Sequence, residues 1–337
     1  MALFDVDLPL VAAPMAGGAT TPEVVAAAMG AGAFAFVPAA YLSAESLQAR
    51  LAEVHAEGYA PGVNLFVPGT SPMSVAAFDA YRNELAGEAE ATEVTLPAEP
   101  TWDDDAWTDK LDLLLSAPVP WVSFTFGLPA AEEARALQRA GSRLAATVTS
   151  LEEARQAEAL GVDALIVQGS GAGGHSAVFD PAARVVDRPL PELLVTIRAA
   201  VSLPVVAAGG VDGAGAVAQL RGAGADAVAV GTLLLRTPEA GTSSTHRKAL
   251  ADPRFTRTAV TRAFTGRPAR ALVNGFVERH DAAAPVGYPE VHHLTRELRA
   301  AAAVEGDAEL VHLWAGTGWR AAQEVTVAQV LAELAAQ

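Results

Sequence analysis

A chain of 337 residues, half of them apolar, can bury a large core without disulfides or structural metals, and it is short enough for one domain with a long insertion or tail. The formal charge of −16 disfavours nucleic acid and anionic lipid as partners, because either would meet a surface of its own sign. With no cysteine, thiolate zinc sites, iron–sulfur clusters and thiol nucleophiles are excluded.

Met1 to Pro14 lacks the basic segment and long apolar run of a signal peptide, and no apolar stretch approaches the roughly twenty residues a membrane span requires. A cytoplasmic protein with no membrane association is expected. A monomer or homodimer is expected as well.

Short aliphatic runs alternate with Ala/Leu/Glu/Arg-rich segments of helical period, the pattern of repeated βα units. The strands are expected at Leu10–Ala13, Phe34–Val37, Val63–Val67, Val122–Phe126, Leu144–Thr147, Ala164–Gln168, Val205–Ala208 and Ala227–Val230. Eight such strands predict an α/β fold, a parallel (β/α)8 TIM barrel.

Helix starts are marked by Thr21 before Pro22 and by Ser150-Leu-Glu-Glu153, which reads as a capping box. Helix ends fall at Gly30 or Gly32, Gly58, Gly141, Gly161, and Gly222 or Gly224, several of them leading directly into the next strand.

Two stretches break this rhythm. An insertion at about 68–118 has an acidic middle, Glu88 to Asp105, expected as a solvated loop or lid. After a barrel domain at 1–236, residues 237–337 carry helical patterns near Ser244–Leu250, Val291–Ala303 and Gly318–Ala335, expected to cap one barrel face as a helical extension.

In a parallel barrel every strand delivers its carboxyl end to the same face, so a ligand site must be built from residues just after strands. Gly209, Gly210 and Gly231 follow the seventh and eighth strands, where backbone N–H groups can approach a phosphate closely. That pattern selects phosphate and does not by itself select flavin.

The run Gln168-Gly-Ser-Gly-Ala-Gly-Gly174-His175 is the most informative segment. Its glycines have no packing value, and it ends in a side chain that titrates near neutrality, which marks His175 as a candidate catalytic residue. The other six histidines, His55, His246, His280, His292, His293 and His312, fall in helical or C-terminal contexts and are expected to be solvated or packed. Asn64, inside an apolar strand, must find partners. A flavin edge or neighbouring backbone would satisfy it, and Gln168 poses the same choice. Met15 can lie against a flat ring or fill the core.

These residues resemble a known family, the nitronate monooxygenases, formerly called 2-nitropropane dioxygenases. The matching stretches are Ala13-Pro-Met-Ala-Gly17, Gly62-Val-Asn-Leu-Phe66, Gln168 to His175, Pro204-Val-Val-Ala-Ala-Gly-Gly210, Val230-Gly-Thr232 and Trp314-Ala-Gly316, which span nearly the whole chain in order. The resemblance implies non-covalent FMN held by Asn64, Gln168, Gly173, Gly210 and the stretch Ala229, Val230, Gly231, Thr232. It also implies an active-site role for His175, beside Gly174. The implied reaction oxidises alkyl nitronates, propionate 3-nitronate among them, with molecular oxygen to a carbonyl compound and nitrite.

Two departures fall on the substrate side: Gly171 stands where an acidic residue is common, and Ser176-Ala177 where Arg-Gly follows the histidine. A nitronate site needs a hydrogen-bond donor or positive charge and few carboxylates, and His175 can supply the donor.

Two alternatives stay open. An NAD(P)H-dependent quinone or enoyl-thioester reductase would keep the flavin and change the reaction, whereas a phosphate-ligand-binding barrel would use the glycine turns without flavin.

Overall fold

The computed structural model describes residues 3–69 and 73–336. All eight expected strands form, as β1 (Leu10–Ala12), β2 (Phe34–Pro38), β3 (Gly62–Phe66), β4 (Trp121–Thr125), β5 (Arg143–Val148), β6 (Ala164–Gln168), β7 (Val205–Ala208) and β8 (Ala227–Val230). They pair in parallel in chain order and β8 closes on β1, where Val11 is opposite Ala229, so the fold is a closed (β/α)8 TIM barrel.

The strands are buried on both faces, which is why they read as continuous apolar runs rather than alternating ones. Inside the barrel, Phe36, Trp121, Ile166 and Val206 fill the lower layers. Phe4 plugs the amino end by stacking on Phe34 with ring centroids 4.4 Å apart. The upper end stays open to ligands, as the fold class requires.

Local sequence accounts for most helix limits. Thr21 Oγ1 accepts from Val24 N at 3.2 Å, and Pro22 occupies the first turn, where its missing N–H costs nothing. Gly32, Gly58, Gly141, Gly161 and Gly224 take positive φ at the helix ends. The Ser150 capping box differs from expectation in its second half. Ser150 Oγ accepts from Glu153 N, but the Glu153 carboxylate passes over the cap residue and accepts from Thr149 N and from Phe179 N. That carboxylate thereby ties the end of β5 to the chain just beyond His175.

Only the start of the acidic middle departs from the expected solvated loop: a helix runs to Ala91, and 92–106 is irregular and half-buried or exposed. Helices Val75–Glu84 and Ala86–Ala91 bury Phe78, Tyr81 and Leu85 against Phe264, Phe276 and Leu294 of the C-terminal region. Polar contacts anchor the acidic stretch at both ends: Glu88 pairs with Arg279, Asp103 shares a hydrogen bond with His293, and Asp105 pairs with the buried Lys110 at 2.8 Å.

Residues 237–337 are not wholly helical either. A hairpin of Thr258–Thr261 and Ala269–Leu272 pairs with the two-residue strand Gly174–His175 in a small antiparallel sheet, with Ala269 opposite His175. The helix expected at Gly318–Ala335 begins only at Val327, because Thr326 and Gln329 form a capping box there. It packs between helices Pro22–Gly30 and Ala214–Gly222, so it completes the outer helical ring rather than capping a face. Among the described residues, no helix is long and apolar enough to cross a membrane.

Candidate active site

The carboxyl ends of the strands open into a cavity of about 580 Å³, a size ordinary for cofactor and substrate sites. Every residue singled out from the sequence lines it: Met15 from β1, Asn64 from β3, Gln168 from β6, Gly173, Gly174 and His175 from the following loop, Gly209 and Gly210 after β7, and Ala229 to Thr232 at the end of β8.

The glycine turns have the backbone that close approach demands. Gly209 and Gly210 adopt φ of 112° and 73°, which side chains with a Cβ rarely take. No acceptor among the described residues takes the N–H of Gly210 or Gly231. The tail Trp314 to Gly318 crosses these turns, with Gly316 N donating to Thr232 Oγ1 and Thr317 N to the Gly171 carbonyl. A Cβ at Gly171 would lie 2.8 Å from Thr317 Oγ1 and 3.2 Å from Gly210 Cα, so the acidic side chain common at this position has no room here.

Asn64 turns its Nδ2 inward, donating to Ser123 Oγ at 2.9 Å and Thr125 Oγ1 at 3.1 Å, and leaves Oδ1 without a partner among the described residues. That acceptor opens on the cavity and is available to a donor from a bound group or from water. Gln168 spends both ends of its amide on the loop: Nε2 donates to the His175 carbonyl at 3.2 Å and Oε1 accepts from Ala177 N at 2.8 Å. Its first task is therefore to shape the histidine loop. Met15 lays its sulfur against Gly231 and faces the cavity beside it.

His175 sits within an aromatic wall of Phe126, Tyr288 and Trp314, with ring centroids 5.6, 5.7 and 5.5 Å away. Its Nε2 is 2.9 Å from Thr265 Oγ1, on the turn of the C-terminal hairpin. Burial, with the charges of Arg267 and Arg299, pushes its pKa down to about 3, so the imidazole is neutral at physiological pH. Positive charge at the site thus comes from arginine and not from His175.

Arg267 stands 3.8 Å above the Phe126 ring, and burial lowers it only to about 10, leaving it charged. Arg299 lines the cavity at 6% exposure, and no carboxylate forms an ion pair with it among the described residues. Its Nε donates to Thr295 Oγ1 and one Nη to the His292 carbonyl. It too stays charged, lowered by burial to about 10. No aspartate or glutamate among the described residues lines the cavity.

Sequence reasoning missed part of this wall. His246, His292 and His312, expected to be bland, all line the cavity, and burial depresses the pKa of each. Tyr41 stacks flat on His292 at 4.5 Å and accepts a hydrogen bond from the Tyr288 hydroxyl at 3.1 Å. His280 and His293 instead pair with carboxylates away from the cavity, and His55 is exposed. The one available signal was the spacing of His292, Arg296 and Arg299, four and then three residues apart, which places all three on one face of helix Glu290–Glu305.

A parallel barrel whose upper rim combines exposed glycine amides, a shielded imidazole and unpaired arginine has the makings of a ligand-dependent barrel enzyme. Comparison with known proteins specifies which. The profile of the nitronate monooxygenase family matches residues 2–337, and the chain belongs to that family of oxidoreductases.

Relatives described as "Probable nitronate monooxygenase" include one from Staphylococcus saprophyticus, 36% identical over 96% of this chain and 92% of its own length. Another is from Bacillus subtilis, 32% identical over 99% of this chain and 97% of its own. The solved structure of nitroalkane oxidase from Streptomyces ansochromogenes is 45% identical, covers 99% of this chain and 98% of its own, and superposes with a TM-score of 0.95. FabK from Thermotoga maritima, 23% identical over 98% of this chain and 93% of its own with a TM-score of 0.75, shares the fold.

Proposed function

We propose that this protein is an FMN-dependent nitronate monooxygenase, oxidising alkyl nitronates with molecular oxygen to a carbonyl compound and nitrite. The observation that carries the reading is a neutral imidazole under the charges of Arg267 and Arg299, in a cavity that no aspartate or glutamate among the described residues lines, facing glycine amides with no acceptor among those residues. An anionic, flat, oxygen-bearing substrate is what such a site accepts.

The residues fit FMN. The amides of Gly210 and Gly231, which have no acceptor among the described residues, would hold the phosphate together with Thr232 at the start of a short helical turn. Asn64 Oδ1 would accept from the ring system, and Met15 would lie along its edge. When bound, FMN supplies the electron acceptor of the oxidation.

The chain's own work is to place the substrate. Thr265 Oγ1 lies 3.4 Å from the Arg267 carbonyl and 2.9 Å from His175 Nε2, two acceptors for its one proton, and in the proposed arrangement that proton goes to the imidazole. The ring proton then resides on Nδ1, which has no protein partner among the described residues and can donate to a nitronate oxygen. Arg267 and Arg299 make the cavity positive, which favours the nitronate over its neutral nitroalkane. Phe126, Tyr288 and Trp314 exclude water around the donor.

The test is turnover of propionate 3-nitronate by protein whose flavin has been identified, followed by oxygen uptake and nitrite release, alongside anaerobic mixing with NADH. Nitrite formation with no bleaching by NADH supports the reading. Bleaching by NADH without nitronate turnover would overturn it in favour of a reductase.

A further inference from the structure

Phe126, the residue after β4, takes a left-handed φ of 79°, a conformation that is costly for a side chain with a Cβ and so must be held by its surroundings. Its ring packs on Phe66 at 4.3 Å and Tyr288 at 5.6 Å, and it stands nearly perpendicular to the His175 imidazole, 5.6 Å away. The guanidinium of Arg267, from the turn of the C-terminal hairpin, lies 3.8 Å from the centroid of the same ring. Three segments distant in sequence thus meet at one aromatic ring.

Arg267 is 4% exposed, and no carboxylate forms an ion pair with it among the described residues. One Nη donates to the Val178 carbonyl, and Nε has no partner among the described residues. The acids whose charge reaches it, Glu153 and Asp180, act across a distance. A buried, charged guanidinium needs more than one carbonyl to offset its desolvation, and the negative face of the Phe126 ring is the further partner the fold provides. Neither Arg267 nor Phe126 lines the cavity, so their effect on a ligand there is indirect, whereas His175 does line it.

We propose that Arg267 is a positioning residue for the reaction at His175: its guanidinium, seated on the face of Phe126, holds that ring against the imidazole and keeps an unneutralised positive charge behind it. The assignment rests on the function proposed above for its effect on turnover, but not for its effect on the imidazole. Around His175 the charged or titratable groups are Arg267, Arg299, Tyr288, His292 and His312, and its hydrogen-bond partner is the neutral Thr265. After burial, the charge of Arg267 does most to keep His175 neutral, ahead of that of Arg299. Removing it must therefore raise the proton affinity of the imidazole, whereas a brace that only tied the hairpin to Val178 would leave that affinity alone.

The imidazole gives a readout that needs no turnover. In flavin-loaded, histidine-labelled protein the His175 ring signals, assigned by their loss in H175N, are followed by NMR from about pH 7.5 to 4.5 in the native chain, Arg267→Met and Arg267→Lys. The native and R267K signals are expected to stay those of a neutral ring throughout, whereas R267M begins to protonate within that range, its midpoint higher by about one pH unit or more. In oxygen-uptake assays, kcat/KM for nitronate should fall about tenfold in R267M and in Phe126→Leu and no further in the double variant, and R267K should recover part of the loss. Should R267M fail to fold, Arg267→Gln takes its place as a neutral side chain. The proposal is overturned if the neutral variant leaves the His175 titration native, if F126L keeps native turnover, or if the two losses add in the double variant. A raised His175 midpoint in a protein that turns over no nitronate would remove the reaction and leave the assignment standing.

Discussion

His175 stands directly opposite Ala269 in an antiparallel pairing, so a hairpin from the last third of the chain, and not the barrel itself, fixes where the imidazole points. The same hairpin carries Thr265 to within 2.9 Å of the ring. The surroundings of this imidazole are thus assembled from a strand-tip loop and a segment ninety residues further along.

The Thr265 contact gives the most direct test. Thr265→Val removes the donor that holds the proton on Nδ1, and kcat/KM for nitronate should fall about tenfold, the effect of one lost hydrogen bond of roughly 1.4 kcal/mol. Thr265→Ser should restore most of it. Flavin content, read from the absorbance spectrum, should match the native protein in both; equal kcat/KM in T265V and native protein rules the contact out.

His175→Asn keeps a polar side chain of similar reach but loses the fixed ring. Turnover should drop by roughly two orders of magnitude or more, with flavin retained, since the glycine turns that would hold the phosphate lie elsewhere on the rim. Steady-state oxygen uptake measures this, and unchanged turnover removes His175 from the mechanism.

Acid stability follows from the sign of the histidine shifts. His175 is depressed to about 3 and His246 to about 4, both by burial, so below the unfolded-state value near 6.5 the unfolded chain takes up protons that the folded chain refuses. Their contribution is fully present above pH 6.5 and is lost as pH falls toward the folded values, at about 1.4 kcal/mol per pH unit for each group. The thermal midpoint should therefore fall steadily from pH 6.5 to 5. A flat profile over that range would mean that these imidazoles are solvated.

Lys110 is 1% exposed and its ammonium meets only Asp105, which in turn accepts from Tyr41 N at 2.7 Å. Lys110→Met leaves that carboxylate largely buried and unpaired, at a cost of about 3 kcal/mol. Urea unfolding should show the loss, and KM should rise because Tyr41, stacked on His292 at the cavity wall, loses its anchor. Native-like stability in K110M would show that the pair is dispensable.

Gly173 tests the crossing tail. An added Cβ would lie 2.5 Å from Gly316 N and 2.7 Å from the Ala315 carbonyl carbon, both of them backbone that cannot give way locally. Gly173→Ala should push the tail off the β8 turn and lower flavin retention on gel filtration while the barrel still folds. Full flavin retention in G173A would place the tail outside the binding site.

The barrel was legible because its signals are local. Runs such as Val205–Ala208 are strand-forming and buried on both faces, the glycines that end each helix recur at each turn, and parallel topology forces residues after strands onto one rim. That logic alone picks out Gln168 to His175, Gly209, Gly210 and Gly231. The small strand at His175 was not legible, since two residues carry no period and acquire strand geometry only from the hairpin that pairs with them.

His292 and Arg299 show the limit from the other side. On a helix, a buried cavity-lining residue and a solvated one can have the same sequence neighbours; what separates them is which face the fold covers, and here contacts with the insertion and with Tyr41 after β2 cover it. Sequence alone therefore determined the barrel, the rim where its strand ends gather and the candidate imidazole on it. Tertiary structure alone decided the imidazole's charge and the source of positive potential, because desolvation and field depend on what packs around a group and not on what precedes it in the chain.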